Sequence, residues 1–327
     1  MGPERKHPWL KKAVGVATLT GIAAAVAAGT AEKRWVVGED SVDGDPLGLP
    51  KGKREILTLS NSAKVLMTIF EGRGPTVLMS HGWTETQGVW APVVRKLVDK
   101  GQGVVIYDHQ GHGGSTIGRN KLDVDQLARD MEEIIATLKD QEVVLVGHSM
   151  GGMTAQTFMV NQSQASERVV GLLLVATASS AAVGSDFFYR AAASLVGSKF
   201  LESALENDSF AAWFTRLSVG RQAHMTHLLA VRDMFLSCDA KARSELAQNL
   251  SYLDITDELS KIEVPTIVMV GSRDTLTPPR CAKEIASHIP GAQLQILPDL
   301  GHMLPFEAPD RVFENIISLC STVPQIA

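Results

Sequence analysis

Glu142-Val143-Val144-Leu145-Val146-Gly147-His148-Ser149-Met150-Gly151-Gly152 is the stretch that decides the fold of this chain. Its first five residues form an apolar run of the kind that fills a buried strand. Then comes the pattern G-x-S-x-G, and Met153-Thr154-Ala155-Gln156-Thr157-Phe158 after it can continue as a helix. Strand, sharp turn and helix with serine at the apex make a nucleophile elbow. A turn so tight admits only small flanking side chains, which accounts for Gly147 and Gly151. It lifts the Ser149 hydroxyl clear of the sheet and puts the Met150 amide at a helix N-terminus, where negative charge is favoured.

The same alternation extends in both directions. Glu55–Leu59 and Lys64–Phe70 read as an antiparallel hairpin around Ser60-Asn61-Ser62-Ala63. Thr76–Ser80 and Val104–Tyr107 are expected strands flanking a helix from about Trp90 to Asp99. Asp125–Lys139 carries Leu127, Met131, Ile134, Ile135 and Leu138 at helical spacing. Beyond the elbow, Val169–Ala176, Thr266–Val270 and Gln293–Leu297 are expected strands, with helices near Arg280–His288 and from about Pro309. Apolar runs that alternate with helices predict an α/β fold with a mostly parallel sheet covered on both faces. Ser179 to about Leu253 breaks the rhythm and is too long for an ordinary loop. It reads as a helical cap, with Phe187, Phe188, Trp213, Phe214 and Phe235 as candidates to line an apolar substrate cavity or to pack cap onto core.

A serine hydroxyl is a poor nucleophile until a base takes its proton and a third group orients that base. Asp274 directly follows the TIVMV strand, and His302 directly follows the strand ending at Leu297. Both sit at strand ends where they can converge on Ser149, and the chain order is Ser, Asp, His. His81-Gly82-Trp83 follows the Thr76–Ser80 strand, so the main-chain N–H groups of Trp83 and Met150 are the expected oxyanion donors. The Trp83 indole is expected to form a pocket wall. His81 and His112 are read as loop-holding residues, His148 as packing beside the nucleophile with its ring turned away, and Asp108 as a loop-ordering carboxylate and reserve acid. His224 and His227 stand at i, i+3 without a companion carboxylate or cysteine, so no metal site is expected.

With these pieces placed, the chain resembles the α/β-hydrolase family from about Glu55 to the C-terminal helix. The motifs that carry the resemblance are HGW (81–83), DHQGHGGS (108–115), GHSMGG (147–152), GSRDTLTP (271–278) and LGHM (300–303). The resemblance implies an eight-stranded sheet with a helical lid and Ser149, Asp274 and His302 as triad. Serine at the elbow excludes the relatives that use aspartate there, namely haloalkane dehalogenases and epoxide hydrolases. The reading that follows is hydrolysis of a carboxylic ester, of a lipophilic acyl group, through an acyl-enzyme on Ser149. Thioester, carbon–carbon bond or perhydrolase chemistry on the same triad is the alternative, followed by a ligand-binding protein that retains the triad.

Composition bounds the rest. A chain of 327 residues with 45% hydrophobic content can build a large core, and a net charge of −5 without a dense basic block gives no sign of nucleic-acid binding. Cys238, Cys281 and Cys320 form neither a disulfide framework nor a metal spacing. No cofactor is expected, and the expected partner is a small-molecule ester. Segments 1–34 (N-terminal), 35–53 (linker), 54–178 with 254–322 (core) and 179–253 (cap) are the expected divisions. Arg5, Lys6, Lys11 and Lys12 precede the uncharged stretch 13–31, which Glu32-Lys33-Arg34 closes. That pattern is read as a single-pass membrane anchor with the catalytic body outside the cytoplasm. A signal peptide cleaved near Ala25-Val26-Ala27 and a water-exposed Ala-rich helix are the alternatives.

Overall fold

The computed structural model describes residues 45–138, 141–181, 195–222 and 224–321. Eight strands form one sheet: β1 (Lys53–Thr58), β2 (Lys64–Phe70), β3 (Arg73–Ser80), β4 (Gln102–Tyr107), β5 (Val143–His148), β6 (Val169–Val175), β7 (Thr266–Gly271) and β8 (Gln293–Leu297). Their spatial order is β1-β2-β4-β3-β5-β6-β7-β8. The two β2 pairings are antiparallel and all the others are parallel.

The period of two along each strand builds two cores. Val77, Val104, Ile106, Val144, Val146, Leu173 and Val175 face one side, where α1 (Ala91–Asp99) and α10 (Pro309–Ser321) cover them. Leu78, Val105, Val143, Leu145, Leu172 and Leu174 face the other. There α2 (Val124–Thr137), α3 (Met150–Val160) and α8 (Pro279–His288) contribute Met131, Phe158 and Ile285. Each fully buried aliphatic side chain is worth about 1.5–3 kcal/mol, so β5, buried at every position, anchors the elbow firmly.

Between β6 and β7 the described residues hold four α-helices: α4 (Lys199–Leu205), α5 (Asp208–Thr215), α6 (Met225–Ser237) and α7 (Ala240–Leu250). The ends of this insertion meet. Ala181 N–H donates to Leu253 O and Ile255 N–H donates to Ser179 O, both at 2.9 Å. Arg243, wholly buried, ties the helices together by donating to the carbonyls of Val196, Phe235 and Cys238 and pairing with Glu202, its guanidinium over the Phe235 ring. A short turn, Leu304–Glu307 (α9), precedes α10.

The single-pass localisation expected from the N-terminus is corrected: no helix among the described residues is long and apolar enough to cross a membrane. The stretch 13–31 that prompted it lies outside the described residues.

Candidate active site

Ser149 joins β5 to α3 with φ 51° and ψ −120°, a sparsely populated conformation that costs about 1–3 kcal/mol. The neighbouring glycines show why the surroundings must be bare. A Cβ on Gly147 would lie 2.5 Å from the Gly151 carbonyl oxygen, and one on Gly151 would lie 2.2 Å from that of Ser80. The turn is held by Ser149 N–H donating to Val175 O at 3.0 Å and by Thr177 Oγ1 donating to Ser149 O at 2.7 Å.

His302 and Asp274 meet after β8 and β7. His302 Nδ1 stands 2.8 Å from Asp274 Oδ2, both side chains buried. A carboxylate accepts, so Nδ1 carries the hydrogen and Nε2 is left as the basic nitrogen. Burial by itself raises a carboxyl pKa. The charge of His302, the bond to it and the hydrogen bonds from Thr277 outweigh burial and hold Asp274 below its ordinary range. Three hydrogen bonds besides that of His302 fix Asp274: Oδ1 accepts from the Leu276 and Thr277 amides, and Oδ2 accepts from Thr277 Oγ1, each at 2.9 Å.

The His302 turn is gripped from several sides. Its amide and that of Met303 donate to Ser218 O at 2.9 and 3.0 Å, and Arg221 N–H donates to Asp299 O at 2.8 Å. Glu307 accepts from Gly220 N–H at 2.6 Å and from Gly301 N–H. His148, next to Ser149, places Nε2 2.9 Å from His302 O, and the two rings lie 4.9 Å apart. The structure therefore brings the turns of Ser149, His302 and Asp274 into one place.

The two expected anion donors sit at the same corner. A Cβ on Gly82 would lie 3.0 Å from Ser149 Cβ, so the Gly82-Trp83 peptide packs against the serine. Met150 opens α3, where its N–H has no intrahelical carbonyl to serve. The Trp83 indole, expected as a pocket wall, donates from Nε1 to Arg243 O at 3.1 Å and links this turn to α7. Trp83 also packs on the insertion's apolar cluster with Phe214 and Phe235. Trp213 lies against Phe210, ring centroids 5.6 Å apart. Phe187 and Phe188 lie outside the described residues.

The other expected participants are elsewhere engaged. Asp108 accepts from the Gln87 amide at 2.7 Å and from Gly114 N–H at 2.9 Å, ordering two loops. His81 Nε2 accepts from His109 N–H, and His112 Nε2 accepts from Thr84 N–H. His227 stacks on Phe306 at 5.0 Å with His224 beside it. Among the described residues, no group of three or more His, Cys, Asp or Glu is placed to hold a metal ion. Sequence reasoning missed Glu85, Thr277, Ser218 and Glu307. Only Thr277 left a signal, since a threonine three residues after an aspartate suits an Asx-type turn.

With this geometry in place, comparison with known proteins is informative. The chain is 26% identical over 257 residues to a non-heme haloperoxidase of Rhodococcus erythropolis, covering 76% of this chain and 92% of that one. It is 29% identical over 236 residues to a pimeloyl-[acyl-carrier protein] methyl ester esterase of Nitrosomonas europaea, covering 71% and 90%. Among solved structures, an esterase from Exiguobacterium antarcticum superposes with a TM-score of 0.72 at 22% identity, covering 82% of this chain and 100% of that one, which is a likeness of fold. The family model described as Serine aminopeptidase, S33 matches residues 73–309, and the chain therefore belongs to this family of α/β-hydrolases.

Proposed function

We propose that this protein cleaves a carboxylic ester of a lipophilic acyl group through an acyl-enzyme on Ser149. The observation that carries the reading is the buried 2.8 Å contact of His302 Nδ1 with Asp274 Oδ2 beside the strained Ser149 turn. His302 Nε2 takes the Ser149 Oγ proton as Oγ attacks the ester carbonyl carbon. The resulting oxyanion is received by the N–H groups of Trp83 and Met150, each worth about 3–4 kcal/mol of barrier. Collapse expels the alcohol, which takes its proton from His302, and a water activated by the same nitrogen then releases the acid. Asp274 holds the ring in the tautomer that makes Nε2 the base.

Segment 179–253 acts in this reading as a cap over the serine. The apolar cluster that joins Trp83 to Phe214 and Phe235 supports a lipophilic acyl group. The Nitrosomonas europaea relative, described as a methyl ester esterase, supports an ester bond.

The test uses the full chain, wild type beside Ser149→Ala, on p-nitrophenyl esters from acetate to palmitate with fluorophosphonate labelling in parallel. Turnover and labelling that vanish together in the variant, with a preference for longer chains, are the expected result. Labelling without ester turnover would move the assignment to thioesters, carbon–carbon bonds or perhydrolysis, and no labelling of the folded protein would remove the enzyme reading.

A further inference from the structure

Glu85 and His148 lie at the junction of the two turns that acyl transfer needs aligned, yet the chemistry above gives neither a role. Glu85 Oε2 accepts from the Gly82 amide at 2.6 Å and stands 3.0 Å from His148 Nδ1. The other ring nitrogen, Nε2, stands 2.9 Å from the main-chain oxygen of His302. Three elements thus converge on one imidazole: the loop after β3, the end of β5, and the turn after β8.

The partners dictate the protonation state. A main-chain carbonyl only accepts, so Nε2 must carry a hydrogen. Glu85 Oε2 accepts the Gly82 N–H, and an ionised carboxylate has no hydrogen of its own to donate, so with Glu85 ionised Nδ1 carries one too. His148 is then an imidazolium balanced by Glu85. Both are nearly inaccessible, at 0% and 5% exposure. Burial opposes both charges. The attraction between the partners and their hydrogen bond outweigh it, holding Glu85 below its ordinary range and His148 above its own.

A buried ion pair is a poor source of stability, because desolvation consumes most of the Coulombic gain and well-packed apolar residues often do as well. Geometry offers the better reason for keeping one. Gly82 packs against Ser149, and its amide is fixed by Glu85. The His302 main chain is held at its N–H by Ser218 O and at its carbonyl by His148. Each link is short and charge-assisted or main-chain, so the span from oxyanion turn to base has little freedom.

We propose that Glu85 and imidazolium His148 are positioning residues, a buried strut that keeps the Gly82-Trp83 donor turn and the His302 turn in register around Ser149. The role rests on the acyl-transfer reading, because register matters only if both turns serve one transition state. The groups facing His148 are Glu85, His302, His81 and Asp274, with Trp90 edge-on at 6.2 Å.

Two measurements on the full chain decide it. Nitrogen-15 imidazole NMR of the wild type is expected to show both His148 ring nitrogens protonated at pH 8, and one unprotonated ring nitrogen overturns the strut without any variant having to fold. Kinetics then compare Glu85→Gln and Glu85→Asp on a p-nitrophenyl ester, with kcat normalised to fluorophosphonate-titrated sites. Glu85→Gln is expected to lower kcat ~10- to 100-fold with KM within about twofold, and Glu85→Asp to recover part of the loss. A lowered Tm with kcat per titrated site unchanged assigns the pair a merely structural role and overturns the inference. Ser149→Ala runs beside them: turnover that survives that change removes the acyl-transfer reading, while the NMR result still reports on His148 alone.

Discussion

Two groups of histidines, equally buried, meet different partners. In the first, His81 lies 4.6 Å from His109 and 5.2 Å from His112, ring centroid to ring centroid. His81 and His112 each accept a main-chain N–H at one nitrogen and donate to a main-chain carbonyl from the other, so each ring is neutral. Burial drives the pKa of His81 down to about 4, and burial with the nearby His81 drives His112 to about 3. In the second group, His148 and His302 each face a carboxylate at Nδ1, at 3.0 and 2.8 Å. The buried aspartates divide the same way. Asp108 is raised because burial outweighs its amide bonds, whereas His302 helps to hold Asp274 down. Burial makes a titratable group neutral unless a full opposite charge touches it, as Glu85 touches His148.

The strongest way to break this contrast is Asp274→Asn. The Leu276 and Thr277 amides keep the Asn oxygen at the Oδ1 position, so its NH2 faces Nδ1 and forces the wrong tautomer on His302, and kcat is expected to fall ~10³- to 10⁴-fold with little change in KM. Steady-state kinetics on the fastest p-nitrophenyl ester measure it, and a loss below tenfold would pass the acid's role to Asp108.

Acid stability probes the neutral group. The folded state withholds protons from His81 that the unfolded chain accepts, so the stability this ring contributes is full above its ordinary 6.5 and lost as pH falls toward about 4. Asp130, raised by burial to about 6, works in the opposite direction, so the readout is a difference. His81→Gln is expected to be less stable than wild type to urea at pH 7.5, with the gap narrowing by about 2 kcal/mol at pH 5. A gap that does not move with pH would leave His81 without this role.

Asp108→Asn gives the smallest expected effect on catalysis. It weakens the bonds to Gln87 and Gly114 and should cost about 1–3 kcal/mol of stability, while kcat stays within about tenfold. Urea titration beside kinetics checks both halves, and a collapse of kcat in folded protein would contradict the loop-ordering role.

The sheet was legible because its central strands are short apolar runs, and period two alone then assigns Val144 and Leu145 to opposite cores. That the turns of Ser149, Asp274 and His302 would meet was legible because all three follow strands of one parallel sheet. Glu85 was not: its partner lies 63 positions away, and a glutamate after a tryptophan and a threonine reads as an ordinary polar loop. The insertion's helices blurred for a different reason. In α6 the apolar residues Leu228, Leu229, Val231, Met234 and Phe235 spread around the helix rather than along one stripe, so spacing sets no boundary. The Trp83 indole was expected only as a wall, and its bond to Arg243 O depends on where α7 comes to rest.

Ser218 belongs to the insertion, yet its carbonyl takes two amide hydrogens from the turn that carries His302. Gly301 meets Gly220 so closely that a Cβ on Gly301 would lie 2.3 Å from the Gly220 nitrogen. The insertion is consequently no exchangeable cassette. Grafting one from a relative between the ends of β6 and β7 would remove a fastening of the turn that carries His302. Residues 218–221 have to travel with the host scaffold, and recombination of such enzymes has its workable crossover points inside the insertion rather than at its stems.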